Sequence, residues 1–194
     1  NAETGGGFGE LSGIWVGKFE ATGTYSNGDA SKVSVKPGVA SLRTMTINDQ
    51  YKAGKNATYG ENTNLNSHMA KNSEWGATVY LAQSKYGTNK QKVEQNKSSS
   101  YYTGGTNTVE QIYTTNKTQS TTHNATGVYD LNGGAWERVA SYVNNGNSNL
   151  GTNGGTTAGD IYGATESEQA TSTKYKTVYS SENNQSKDYQ TAGK

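Results

Sequence analysis

Cysteine is absent from this chain of 194 residues, which excludes disulfide stapling and thiolate chemistry within it. Proline occurs once, at Pro37, and phenylalanine twice, at Phe8 and Phe19. Aliphatic residues are sparse as well: hydrophobic types make up 30% of the chain and the mean hydropathy is −0.91. No apolar run approaches the length of a membrane span or of a signal-peptide core, so no membrane insertion by this chain is expected. Charge is equally thin, at 17% of residues with a formal net charge of +1. Only Lys90, Lys92 and Lys97 gather together, and Glu94 interrupts them. Nucleic-acid binding needs a basic face, so no nucleic acid is expected among the partners.

What the chain has instead is 14 Tyr, 3 Trp and 25 Gly in a background of Asn, Thr and Ser. Disordered chains are usually rich in charge and poor in aromatics, and this composition is the opposite on both counts. It predicts a folded domain heavy in loops, with short polar side chains satisfying turn backbone and Tyr supplying much of the burial. The Ser/Thr/Asn/Gly/Tyr bias without cysteine is characteristic of Gram-positive cell surfaces and phage exteriors, so the expected location is extracellular, on a cell or virion surface. We read residues 1–194 as one domain with residues 1–10 as a flexible start. The chain opens on Asn1 and stops at Lys194 within a polar run, which reads as a cut at both ends.

Local patterns place the elements. Ile14 to Glu20 (IWVGKFE) reads as a strand, and Asn27-Gly28 is a strong hairpin-turn signal. Val33, Val35 and Val39 around Pro37 suggest a short extended piece. Thr46 followed by Asp49 resembles a capping box, with Ile47, Gln50, Tyr51 and Gly54 completing a short helix. The clearest helix is Asn72 to Tyr86, with Ser73 as N-cap, Glu74 in the first turn, Trp75, Val79, Ala82 and Tyr86 at helical spacing, and Gly87 as the stop. A polar stretch to about His123 reads as long loops with short strands. Gly127 to Val143 is the second dense apolar block, and from Asn144 onward apolar content falls.

Three of these blocks carry a resemblance. NSEWGATVYL, Asn72 to Leu81, resembles the T-E-A-E-W-E-x-A helix of the formylglycine-generating-enzyme, or sulfatase-modifying-factor, superfamily. GVYDLNGGAWERVASY, Gly127 to Tyr142, is similar to that family's G-L-Y-D-M-x-G-N-V-W-E-W block, and IWVGKFE resembles its first strand, F-x-I-G-K-Y-E-V-T. Order and spacing agree from Ile14 to Val143. The phrases NSHMAKNSEWG and GVYDLNGGAWE are most like the prepilin-type surface proteins and prophage proteins of Gram-positive bacteria. The resemblance implies an α+β, C-type-lectin-like fold: a small twisted antiparallel sheet, two helices and long irregular loops. It implies no enzyme, because catalytic members use a cysteine pair that this chain lacks. It also implies a calcium ligand at Glu137, in a turn where Gly134 stands in place of the family's Asn, so that one side-chain oxygen of the site is lost.

Function then falls into two classes. The first is a non-catalytic surface domain, pilin-like, adhesin-like or phage-exterior, acting in binding or assembly. Its partners would be other protein subunits or surface glycans, with a homo-oligomer or filament as one outcome. The alternative is a diverged enzyme of the formylglycine-generating superfamily. For the first class, the candidate contact residues are Tyr101, Tyr102, Tyr113 and Tyr162, all in polar, Asn-rich surroundings, because Tyr gives large contact area at low entropic cost. The competing reading packs these rings as small cores under long loops. Trp75 and Trp136 are expected in the core, Trp15 is open to either face, and Glu137 is expected to tie down the Asn132-Gly133-Gly134 turn. Glu74 fits the first turn of its helix better than an acid–base pair with Glu137. His68 and His123 lack metal-ligand spacing and read as surface residues. Lys18, between apolar neighbours and Glu20, is the only setting that suggests an isopeptide cross-link, and a lysine pointing outward from a strand explains it as well.

Overall fold

The computed structural model describes residues 13–59, 65–106, 112–144 and 175–180. It is a small α+β fold with two helices and a two-stranded antiparallel sheet. Strand β1 (Ala21–Gly23) pairs antiparallel with β2 (Val33–Val35), Thr22 opposite Ser34. The link between them turns at Asn27 and Gly28, both with positive φ (53° and 85°), the geometry the Asn-Gly pair predicts. Helix α1 (Ile47–Asn56) starts where the capping pattern places it: the Thr46 hydroxyl oxygen accepts from Asp49 N at 3.1 Å. Helix α2 spans Asn72–Gln83. Strand β3 (Ser141–Asn144) pairs with β4 (Thr177–Ser180), and this second pair is parallel.

Several sequence expectations need correction. Ile14 to Glu20 forms no strand; pairing begins only at Ala21, and Ile14, Trp15 and Val16 are exposed. β1 has β2 as its sheet neighbour, so the apolar run before it finds no ladder to join. Helix α2 is capped by Lys71 rather than Ser73, because Glu74 reaches back to accept from Lys71 N at 2.9 Å. It ends at Gln83 rather than Tyr86, because Ser84 leaves helical geometry (ψ 173°). Its hydroxyl donates to Leu81 O and accepts from Tyr86 N. That early stop leaves Tyr86 exposed, and on the expected inner face only Ala82 is buried, with Trp75 and Val79 half-buried. Between Gly87 and Thr126 the described residues form 3-10 turns, at Thr103–Gly105, Tyr113–Thr115 and Lys117–Gln119, and no strands.

The chain's shortage of aliphatics shows in how it packs. One small cluster sets Ala53 of α1 and its C-cap residue Ala57 against Ala30 and Val33 of the hairpin, with Tyr25, Leu42 and Met45 around them. A second joins Tyr51 on α1 to Ala140, Tyr175 and Met69. A third is aromatic: Phe19, Tyr113 and Tyr129 meet with ring centroids 5.0–5.4 Å apart, Tyr113 edge-on to both of the others. Hydroxyls fill much of the remaining interior. Thr22, Thr103, Thr106 and Ser120 are fully buried. Thr103 Oγ1 donates to Lys36 O at 2.6 Å and Ser120 Oγ to Asn124 O at 2.6 Å, so these two buried hydroxyls are matched with loop backbone.

Tyr129, 1% exposed, is the largest of the fully buried side chains. Replacing it with Ala is expected to cost about 3–5 kcal/mol in denaturant unfolding, as for other core aromatics. A loss below about 1 kcal/mol contradicts the packing described.

Candidate functional site

The Gly127 to Val143 block organises the molecule around two carboxylates. Tyr129 N donates to Lys18 O at 2.8 Å, locking this block against the segment that leads into β1. The next residue, Asp130, is 1% exposed and holds a positive φ of 68°. Its carboxylate accepts from Gly104 N at 2.9 and 3.0 Å and from Asn96 Nδ2 at 2.9 Å. Asn96 is itself saturated: its side-chain amide also donates to Tyr102 O, and its side-chain oxygen accepts from Ser98 N. Its backbone pairs with Asn132 O and Gly134 N at 2.7 and 3.1 Å.

Gly133 and Gly134 then carry the chain past Asn96 at φ of 87° and 75°. A Cβ at Gly133 would lie 2.4 Å from Asn96 O, and one at Gly134 would lie 2.8 Å from Glu20 Oε1, so neither position has room for a side chain. The turn is held by Glu20, whose Oε1 accepts from Ala135 N at 3.0 Å while Oε2 accepts from the Ser41 hydroxyl. Glu137, expected to tie down this turn, does not do so. Its Oε2 accepts from the Trp75 indole N–H at 2.8 Å, bracing the block against α2.

Electrostatics follow from this crowding. Burial pushes the Glu20 carboxyl up to about 7, with the charges of Asp130 and Glu137 adding to the rise and the Ser41 and Ala135 hydrogen bonds opposing it. Asp130 is also raised by burial, against the pull of Gly104 N–H and Asn96. A separate contact sits at the start of α2: His68 Nε2 lies 3.0 Å from both Glu74 oxygens, and its Nδ1 lies 3.1 Å from Asn66 O. The hydrogen bond to Glu74 raises the His68 pKa, and the same pairing lowers that of Glu74 against the effect of burial.

The block exposes what was expected inside. Trp136 is 89% exposed; Trp15, far from this block in the sequence and open to either face there, is 104% exposed. The expectation that Trp136 fills the core is therefore overturned: two positive-φ glycines turn the chain so that its side chain leaves the interior. Trp75 is half-buried, with its N–H on Glu137.

The predicted contact tyrosines scatter. Tyr101 is half-buried at φ 59°, with the Arg43 guanidinium 3.9 Å from its ring centroid. Tyr102 is half-buried, and its N–H donates to the Ser98 hydroxyl oxygen. Tyr113 is half-buried in the aromatic cluster, and Tyr162 lies outside the described residues. Among the described residues, no group of three or more His, Asp or Glu side chains is placed to hold a metal ion. Glu137, the calcium ligand implied by resemblance, has its carboxylate on Trp75. Lys18 is half-buried and donates to Ala125 O and to Tyr113 Oη (3.3 Å), with its ammonium 4.6 Å from the Tyr113 ring centroid.

Sequence reasoning missed Asp130, Asn96 and Ser41 and saw Glu20 only as a neighbour of Lys18. The one signal available was an acidic residue between a buried Tyr and an Asn-Gly-Gly turn. Comparison with protein-family models, with curated proteins and with solved structures returns no significant match.

The Glu20 geometry sets a pH dependence. Its folded-state pKa of about 7 lies above the unbound value of 4.5, so the folded state holds the proton more tightly. Stability therefore falls as pH rises from about 4.5 to 7 and levels off above, by about 2–3 kcal/mol after allowance for partial exposure. His68, also raised, contributes stability below its unfolded value that is lost as pH rises through its folded one. Urea unfolding between pH 4.5 and 8 should show Glu20→Gln flattening most of this decline and exceeding the parent in stability at pH 8. Parallel profiles for the two proteins contradict the assignment.

Proposed function

We propose that this chain is a non-catalytic binding or assembly domain of an extracellular surface protein, pilin-like, adhesin-like or phage-exterior, built on a C-type-lectin-like variant of its α+β fold. The observation that carries this reading is the exposure of Trp15 and Trp136, two of the three tryptophans in a chain poor in large apolar side chains. A protein this short of core material leaves two indoles in water, each forgoing about 2–3 kcal/mol of burial. Exposed Trp is uncommon on a surface with no partner and enriched at the centres of binding surfaces. The partner is another protein subunit or a surface glycan, since an indole face suits either.

The disposition of the acidic groups supports binding over turnover. Glu20, Asp130, Glu74 and Glu137 each accept hydrogen bonds from this chain's own backbone or side chains. Acid–base chemistry needs a carboxyl within reach of substrate, and these carboxyls are spent on holding loops together. The sequence resemblance and the cysteine-free, Asn/Thr/Ser-rich composition supply the surface-protein context. Among the described residues no helix is long and apolar enough to cross a membrane.

The test pairs stability with association. The double variant Trp15→Ala/Trp136→Ala should melt within about 2 °C of the parent, because neither side chain is packed. Self-association by sedimentation velocity and retention on a glycan array should be shown by the parent in at least one assay and fall about tenfold in the variant. A melt lowered by more than about 5 °C, or association unchanged by the double substitution, contradicts the proposal.

A further inference from the structure

The surroundings of His68 fix which protonation state its ring can hold. Nδ1 lies 3.1 Å from Asn66 O, and Nε2 lies 3.0 Å from both oxygens of Glu74. Both neighbours can only accept, since one is a carbonyl and the other a carboxylate. A neutral imidazole has a single N–H, so in either tautomer a lone pair would face one of these oxygens. Turning the ring over would set carbon atoms in both places. Only the imidazolium, with two donors, fits. The raised His68 pKa and the lowered Glu74 pKa agree with that charge pair.

The ring also sits between parts of the chain that are distant in sequence. On one side is the first turn of α2, where Glu74 accepts from Lys71 N at 2.9 Å and lies 3.4 Å from the Lys71 ammonium. On the other is Tyr175, which leads into β4. Its ring centroid is 5.8 Å from that of His68, and its hydroxyl donates to Asn66 Oδ1 at 2.9 Å. Asn66 thus holds His68 through its backbone and Tyr175 through its side chain, and it does so at a left-handed φ of 49°. Met69, next in the chain after His68, packs in the cluster of Tyr175, Tyr51 and Ala140, and the Lys55 ammonium lies 5.1 Å from the Tyr175 ring centroid. The charged and titratable groups around the ring are therefore Glu74 and Lys71 from α2 and its cap, Tyr175 from the approach to β4, and Lys55 and Tyr51 from α1.

We propose that His68 is a proton-operated clasp on β4: the imidazolium pins residues 66–69 between α2 and Tyr175, and loss of its proton frees Tyr175 and lets β4 open. The clasp is closed while His68 is charged and opens as pH rises through its raised pKa, a span in which Glu74 stays ionised. The neutral ring keeps its remaining proton on Nε2, facing the carboxylate, so the bond given up is the one to Asn66 O, and Asn66 is the residue that holds Tyr175. The start of α2 is untouched, because Glu74 keeps Lys71 N–H and the Lys71 ammonium. Thr177, two residues beyond Tyr175, reports the release, since its N–H donates to Ala140 O at 3.0 Å and its Oγ1 accepts from Ser73 N at 3.1 Å.

The experiment follows the full chain by NMR from about pH 5 to 9. Ring 15N shifts should show His68 more than half doubly protonated at about pH 6.5, the midpoint of a free imidazole. Hydrogen exchange at Thr177 N–H, corrected for its intrinsic pH dependence, should report opening that grows roughly fivefold or more as His68 loses its proton, one charge-assisted hydrogen bond being lost. Thr177 should open while Gly104 N–H stays protected. His68→Gln should show the open level at every pH, and the trend set by Glu20 is common to both proteins. Tyr175→Phe, which keeps the ring but not the bond to Asn66, should leave His68 doubly protonated and shrink the step at Thr177. The proposal is overturned by a His68 ring that titrates at or below the free midpoint, or by the same Thr177 profile in parent and His68→Gln. Thr177 exchange only in step with Gly104, or a full step retained in Tyr175→Phe, overturns it equally.

Discussion

Everything else in this fold depends on keeping a carboxylate buried at Asp130. An ionised carboxylate without partners in a protein interior is unstable by several kcal/mol, so the chain must deliver donors to it from several directions at once. It does so with Gly104 N–H from one loop and the Asn96 amide from another. Asn96 then ties its own loop to the 132–134 turn, and Glu20, from the residue before β1, closes that turn through Ala135 N–H. Four stretches distant in sequence converge because two acids have to be satisfied. In a chain with long irregular segments, this network does the organising that a continuous sheet does in a richer α+β domain.

The arrangement follows from composition. Among the described residues, three small apolar clusters built mostly from Ala, Tyr and single aliphatics cannot by themselves order loops of this length. Hydroxyls and amides such as those of Thr103, Ser120 and Asn96 take up the work by bonding to loop backbone and to Asp130. The same economy bears on function. With the interior knit by polar side chains, Trp15 and Trp136 remain exposed, and Glu20 and Glu137 accept hydrogen bonds from Ala135 N and the Trp75 indole.

Local features were legible in the sequence and non-local ones were not. Asn27-Gly28 and the Thr46/Asp49 pair each fix their structure within four residues, and both appear as read. Helix α2 was legible as a helix, but its ends turn on which side chain reaches which backbone group: Glu74 chose Lys71 over Ser73, and Ser84 stopped the chain before Gly87. Apolar spacing placed Trp136 in a dense block, yet spacing cannot say which way a chain leaves two glycines of positive φ. The run Ile14 to Glu20 looked like a strand because strand propensity describes a pleated, half-buried surface, and among the described residues no neighbouring strand supplies one here. Strand β4, Thr177–Ser180, went unread although Thr, Val and Tyr favour strands, because it lies in the polar stretch beyond Asn144 and its partner β3 is distant in sequence. Buried acids have no periodicity at all. Asp130 and Glu20 became visible only when their donors did.

Native-state hydrogen exchange at Gly104, Gly134 and Ala135 tests the central claim most directly, because these three N–H groups are the donors that the buried network holds. If the network organises the fold, their exchange should require global unfolding and report the same free energy as denaturant melts. Exchange through local fluctuation, at rates like that of the Asp29 amide in the exposed hairpin turn, would contradict it.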